Sequence, residues 1–173
     1  MALAVTQTIF DTAKVFVPDV YEDDRGYFKE VYATHRYQEA GISDTFLQDS
    51  VSYSTKNVIR GLHYDFAMSK FVQVVRGKVW DVIVDLREGS ATYRKWQGFY
   101  LSEFNHKQLY VPAGFAHGFL ALAEDVVLFY KQGALYEPKR EGAIRWNDPT
   151  LAIKWPLIGE PRVSAKDQSA PLL

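Results

Sequence analysis

Phe71-Val72-Gln73-Val74-Val75-Arg76, then Gly77-Lys78, then Val79-Trp80-Asp81-Val82-Ile83-Val84-Asp85: the reading of this stretch decides the fold class. Both runs are rich in valine and aromatic residues, which suit a pleated, half-buried backbone. The Gly77-Lys78 pair between them reads as the turn of a hairpin. Further apolar runs follow at Trp96 to Leu101, Gln108 to Val111, Gly118 to Leu122 and Val126 to Lys131. Turn-forming pieces separate them: Arg87-Glu88-Gly89-Ser90, Glu103-Phe104-Asn105, Pro112-Ala113-Gly114 and Glu124-Asp125. Short strands at such regular spacing predict an all-β sandwich or barrel, with a jelly roll the natural candidate.

Helix signals are few. One short helix is predicted near Thr34 to Ala40, with Thr34 as its cap and Gly41 ending it in the left-handed conformation. From Glu141 onward come Pro149, Pro156, Pro161 and Pro171, so the tail should be irregular, with room for a short helix, and should wrap the domain. No repeat, low-complexity tract or linker divides the chain, and residues 1–173 read as one domain.

Composition removes several function classes. The hydrophobic fraction is 47%, enough for a core rather than a disordered chain. The chain has no cysteine, which rules out disulfides, thiolate metal sites, iron–sulfur clusters and cysteine nucleophiles. A net charge of -1 gives no overall field for nucleic acid. No apolar run approaches the roughly 18 residues of a membrane span. The start, Met1-Ala2-Leu3-Ala4-Val5-Thr6-Gln7, lacks the basic and apolar regions of a secretory signal. A cytoplasmic protein without a membrane partner is expected. Aromatic residues make up 15% of the chain and serve either as core filling or as the lining of a pocket for flat ligands.

Four histidines are available for chemistry: His35, His63, His106 and His117. His35 falls in the predicted helix and His106 in a polar turn, so both read as surface residues. His63 lies in Arg60-Gly61-Leu62-His63-Tyr64, and His117 in Pro112-Ala113-Gly114-Phe115-Ala116-His117-Gly118. Glycines beside them permit close backbone approach. Taken singly, each histidine reads as structural. The Pro112-x-Gly114-x-x-His117 spacing is similar to the second metal motif of the cupins. The first motif would need a second histidine, and His63-Tyr64-Asp65 offers only one. Asp167, in a polar stretch of the tail, reads locally as a solvated charge. Tyr130, ending an apolar strand, reads as a core tyrosine.

In combination these residues say more. From about Asp24 to Leu173 the chain resembles the dTDP-4-dehydrorhamnose 3,5-epimerase family, a metal-free branch of the cupin superfamily. The matching pieces are Asp24-Arg25-Gly26-Tyr27-Phe28-Lys29-Glu30, Arg60-Gly61-Leu62-His63-Tyr64 and Gly77 to Arg87. They continue with Pro112 to Phe119, Trp146-Asn147-Asp148-Pro149 and Lys166-Asp167. Six pieces in order over nearly the whole chain form a specific signature.

The resemblance implies a cupin-type jelly roll (double-stranded β-helix) with a few short helices, working as a homodimer with no metal and no cofactor. It implies a nucleotide-sugar substrate, dTDP-linked, carrying a 4-keto-6-deoxyhexose that is epimerised at C3, C5 or both. His63 matches the proton-abstracting base, Asp167 the carboxylate paired with it, and Tyr130 the proton donor on the opposite face. Lys70 and His117 match polar groups around the sugar and its phosphate. Arg25, Glu30, Gln48, Arg60, Glu141 and Lys166 match nucleotide-sugar contacts, with Phe28 and Ser50 beside them, and Tyr136 matches the aromatic that stacks on the base.

These roles are chemically coherent. Proton loss beside a ketone makes an enolate, whose oxygen needs a cation or donor such as Lys70. A neutral imidazole, with an unperturbed pKa of about 6.5, accepts that proton near neutral pH. A carboxylate fixes its tautomer and stabilises the imidazolium. Inversion requires a second group on the other face, which a tyrosine supplies.

Two positions depart from the family pattern. Asp65 stands where a glutamine is usual, and Gln48-Asp49-Ser50 replaces a Gln-Asp-Asn trio. The loop between His63 and Lys70 is also about two residues shorter than the family's usual one. The exact sugar and the number of centres inverted therefore stay open. Alternatives are a single-centre epimerase or a sugar isomerase or dehydratase. From other classes come a metal-dependent cupin using His63, Asp65 and His117, and a non-catalytic sugar-nucleotide binding module.

Overall fold

The computed structural model describes residues 2–173. Among these, strands dominate and only two short helices occur, α1 at Thr34–Glu39 and α2 at Ala165–Gln168. The strands form two sheets and a separate two-stranded ribbon. The first sheet contains β1 (Leu3–Ile9), β2 (Ala13–Pro18), β5 (Gln48–Ser54), β7 (Lys70–Arg76), β10 (Gln108–Val111) and β12 (Val126–Gln132). Its order is β1-β2-β10-β7-β12-β5, with every pair antiparallel. The second contains β6 (Val58–Tyr64), β8 (Lys78–Asp85), β9 (Trp96–Ser102), β11 (Phe115–Ala121) and β13 (Gly142–Ala143), ordered β13-β6-β11-β8-β9. A short β14 (Arg162–Val163) adds to β6 in parallel, and β3 (Val20–Asp23) pairs with β4 (Gly26–Lys29) in the ribbon. This all-β arrangement is the expected jelly roll.

One expectation fails at the stretch that revealed the fold. Both strand runs are present, but they do not pair with each other as a hairpin. β7 hydrogen-bonds to β10 and β12, whereas β8 bonds to β11 and β9 in the opposite sheet. Gly77 (φ +84°) is therefore a corner where the chain changes sheets. Its N–H donates to the Glu103 side chain at 2.8 Å, and a Cβ there would stand 2.3 Å from the Asp125 carbonyl oxygen. A two-residue turn and a tight sheet-to-sheet corner share the same glycine signal, and only the pairing partners distinguish them.

Between the sheets lies the main core. Val15, Val72, Val74, Leu109, Val126 and Leu128 from the first sheet meet residues such as Val79, Ile83, Leu101 and Phe119 from the second. The second sheet is covered on its outer face as well. Leu62, Val82, Val84 and Ala116 pack there against Ile144 and Leu151, with Ile153, Trp155 and Leu173 alongside. The tail thus wraps the domain as expected, and it explains why Val82-Ile83-Val84 is apolar without alternation. On the first sheet, α1 closes Tyr37 and Ile42 over Phe16, Phe71 and Tyr110.

Several elements differ from expectation. The run expected at Gly118 to Leu122 starts earlier, as β11 at Phe115. Strands β1, β2, β5 and β6 lie outside the expected runs: β5 is mostly polar, whereas β2 is short and ends in a proline. The helix is capped by Ala33 without a side-chain bond rather than by Thr34, which is already helical, while Gly41 takes φ +87° as expected.

Candidate active site

The two sheets part at one end around a cavity of about 680 Å³. His63, near the end of β6, projects into it from the second sheet; Tyr130, on β12, does so from the first. The two groups therefore stand on opposite walls.

A bulge aims His63. Opposite β11, His63 pairs with His117 and Arg60 with Phe119, so β6 carries one extra residue between them. Gly61 sits at this irregularity with φ +117°, a conformation that L side chains rarely adopt. Its N–H is released from the ladder and donates to Asp167 Oδ2 at 3.2 Å. The other carboxylate oxygen, Oδ1, holds His63 Nε2 at 2.6 Å. Asp167 itself is 3% exposed, so the solvated charge expected locally is instead a buried one. Ser164 caps α2 by accepting the Asp167 N–H at 3.1 Å, which fixes the carboxylate's direction. Burial opposes the ionised carboxylate. The hydrogen bond and charge of His63 and the Gly61 N–H outweigh it, leaving Asp167 below its ordinary pKa. With Nε2 donating to this carboxylate, Nδ1 is the basic nitrogen.

Tyr130 bonds Ser52 Oγ at 3.0 Å across the β12–β5 pair. Burial raises its phenol well above the ordinary value, with the Ser52 bond offsetting part of the shift, so it stays protonated at neutral pH. Lys70, the first residue of β7, donates from Nζ to the His63 carbonyl at 3.2 Å and bridges the two walls. Burial pushes its ammonium down to about 8, partly offset by Glu141, Asp81 and Asp65.

His117 lines the cavity beside His63, but its Nε2 is taken by both oxygens of Asp81, each at 2.9 Å. Asp81 is fully buried, and its role was not read from the sequence. A carboxylate inside an apolar strand was the available signal, since a buried charge must be paired. Ser52 and Gln132 offered no signal, because register alone brings them to the site.

The remaining expected contacts divide. Gln48, Ser50, Arg60 and Tyr136 line the cavity, as do Glu141 and Lys166, which pair with each other. Ser50 Oγ donates to Gln132 Oε1 at 2.6 Å, and Gln48 Oε1 accepts the Tyr136 N–H at 2.9 Å. Arg25, Phe28 and Glu30 are not brought to this cavity by their own chain. Arg25 forks onto Asp23 on the exposed β3–β4 ribbon, Phe28 is 63% exposed, and Glu30 pairs with Arg36. His35 is exposed as expected, whereas His106 is partly buried with Nδ1 3.2 Å from Lys29 Nζ.

Asp65 is directed to Arg140 Nε at 3.1 Å and to the Ala67 N–H at 2.8 Å. Among the described residues, no group of three potential ligands is arranged for a metal ion.

Comparison with known proteins places this geometry. The dTDP-4-dehydrorhamnose 3,5-epimerase family model matches residues 7–173. The dTDP-4-dehydrorhamnose 3,5-epimerase of Salmonella typhimurium is 43% identical over 175 residues, covering 99% of this chain and 96% of its own. The Bacillus anthracis enzyme of the same name, solved with TDP and PPi bound, superposes with a TM-score of 0.96 at 43% identity, over 99% of this chain and 100% of that one. A Legionella pneumophila dTDP-6-deoxy-D-glucose-3,5-epimerase in complex with dTDP-4-keto-L-rhamnose gives 0.95 at 42%, over 99% and 93%. The chain belongs to the dTDP-4-dehydrorhamnose 3,5-epimerase family and is an isomerase of the nucleotide-sugar epimerase type.

Proposed function

We propose that this chain epimerises a dTDP-linked 4-keto-6-deoxyhexose at C3, C5 or both, in deoxysugar biosynthesis. The observation that carries this reading is the His63–Asp167 pair on one wall with Tyr130 on the other. His63 Nδ1 takes the proton from the carbon beside the 4-ketone. The electron pair of the broken C–H bond moves onto the ketone oxygen, and the Lys70 ammonium stabilises the resulting enolate. The enolate carbon then takes a proton from the Tyr130 hydroxyl on the opposite face. The imidazolium returns its proton to solvent and the tyrosinate regains one, restoring both groups. The ketone itself acidifies the adjacent C–H, so the step uses neither metal nor organic cofactor. Gln48, Arg60, Tyr136, Glu141 and Lys166 bind the nucleotide end, and His117, held by Asp81, shapes the sugar end beside Ser50.

Inversion at a single centre is a second reading. A departure from the family pattern favours it: Ser50, where an asparagine is usual, donates to Gln132 inside the cavity.

The protein works as a cytoplasmic, single-domain homodimer in this reading. No helix among the described residues is long and apolar enough to cross a membrane. Support for the dimer comes from the exposed side chains of Val51 and Tyr53 on edge strand β5, and from the Tyr27 and Phe28 side chains on the ribbon. A second copy would bring Arg25, Phe28 and Glu30 to a cavity that their own chain does not let them reach.

Proton NMR in deuterated water with defined dTDP-linked keto sugars tests the chemistry. Wash-in of deuterium at C3 or C5 is expected, lowered about 10²–10⁴-fold by His63→Ala. Tyr130→Phe should impair inversion more than wash-in. No exchange with any such sugar would overturn the reading.

A further inference from the structure

Arg140 stands outside every role described above, yet all three of its guanidinium nitrogens are engaged. Nε donates to Asp65 Oδ2 at 3.1 Å, Nη1 to Glu137 Oε2 at 2.7 Å and Nη2 to the Leu135 carbonyl at 2.8 Å. Its backbone N–H also reaches the Glu137 carbonyl at 3.0 Å. The last two side-chain bonds gather residues 135–140 into one folded loop. The first fastens that loop to the turn directly after the His63 strand.

Each side of this fastening carries cavity residues. The loop bears Tyr136 and leads into Glu141; the turn leads through Met68 to Lys70. Asp65 is the anchor. It is 6% exposed, its Oδ1 caps the turn through the Ala67 N–H, and its backbone carbonyl accepts the Met68 N–H at 3.1 Å. Glutamine, which the family resemblance leads one to expect at position 65, is neutral and offers no counterion to a guanidinium. An aspartate here, with an arginine facing it, makes a charged latch beside the cavity that Asp65 helps to line.

We propose that Arg140 and Asp65 are a positioning pair that holds the Tyr136–Glu141 loop in place for the nucleotide half of the substrate. This rests on the nucleotide-sugar reading above. The latch acts on binding, through Tyr136 and Glu141, and leaves proton transfer at His63 and Tyr130 to proceed once substrate is bound. It predicts a raised KM with little change in kcat.

Three measurements on the full chain test it. Amide hydrogen exchange requires no ligand: segment 133–141 should lose protection in Arg140→Gln while the core strands keep theirs. Calorimetry with dTDP alone should show roughly five- to tenfold weaker binding, and KM for the keto sugar should rise to match with kcat within about twofold. Arg140→Lys should not restore affinity, since an ammonium cannot reproduce the three-way fork. Should Arg140→Gln fold poorly, Asp65→Asn provides the second arm, because its amide oxygen still caps the turn but offers no charge to Arg140. The double variant should be no worse than the more affected single one.

Unchanged exchange in segment 133–141, unchanged dTDP affinity, or an equal fall in kcat would each overturn the latch. Additive losses in the double variant would do the same. If the wild-type chain binds dTDP but shows no deuterium wash-in with any keto sugar, the epimerase reading falls, and the latch is still decided by exchange and dTDP affinity.

Discussion

Lys70 carries the residue-scale lesson that position sets chemistry. It begins β7 on one wall and reaches the His63 carbonyl on the other, and burial brings its ammonium to about 8. A lysine in water would stay charged to about pH 10. If Lys70 must be cationic to stabilise the enolate, turnover falls as pH rises through about 8. A pH profile of kcat should show that alkaline limb, and Lys70→Met should reduce kcat about 10²-fold and remove the limb. Stability moves in the other direction. Between about 8 and 10.5 the folded chain has released a proton that the unfolded chain still holds, so this group's contribution to stability rises with pH. At this scale the sequence showed which residues matter but not their surroundings. His63 was one histidine of four, and its standing comes from an aspartate 104 positions away.

At the scale of elements, the β6–β11 pair is built around close glycines. A Cβ on Gly118 would stand 2.7 Å from the Arg60 carbonyl oxygen and 3.1 Å from a Leu62 methyl carbon. A Cβ on Gly61 would meet the Gly118 Cα at 2.6 Å. The strands approach this closely because both lack side chains there, and the bulge at Gly61 frees the N–H that anchors Asp167. Gly118→Ala should therefore push β6 away from β11. We expect a loss of about 1–3 kcal/mol, read from chemical denaturation, together with a fall in wash-in rate larger than the fraction unfolded explains. Full activity with unchanged stability would show that the contact is not needed. The glycine signals were legible in the sequence. That one marked a bulge and Gly77 a sheet-to-sheet corner was not, because φ preference is local while pairing partners are not.

At the scale of the whole molecule, the β3–β4 ribbon stands apart from the cavity of its own chain. Arg25, Phe28 and Glu30 were expected at the substrate, yet they lie off the cavity of their own chain. The homodimer proposed above would reconcile both facts. Light scattering should report a mass near 40 kDa for a 19.8 kDa chain. Mixing a Phe28→Ala/Arg25→Ala chain with a His63→Ala chain should restore some activity, because one of the two cavities in a mixed dimer would be intact. A monomeric, active protein would rule out a shared site.

Strand periodicity and the turn glycines were enough to determine an all-β sandwich or barrel, because these depend on local backbone preference; the jelly roll and the residues of its chemistry came from the ordered motifs through the family they resemble. The tertiary structure decided what depends on distance. It buried Asp167 beside His63, set Tyr130 on the opposite sheet, gave His117 to Asp81 and fastened Arg140 to Asp65. Such pairings join residues tens to more than a hundred positions apart. They follow from which strands adjoin and in what register, which no local preference specifies.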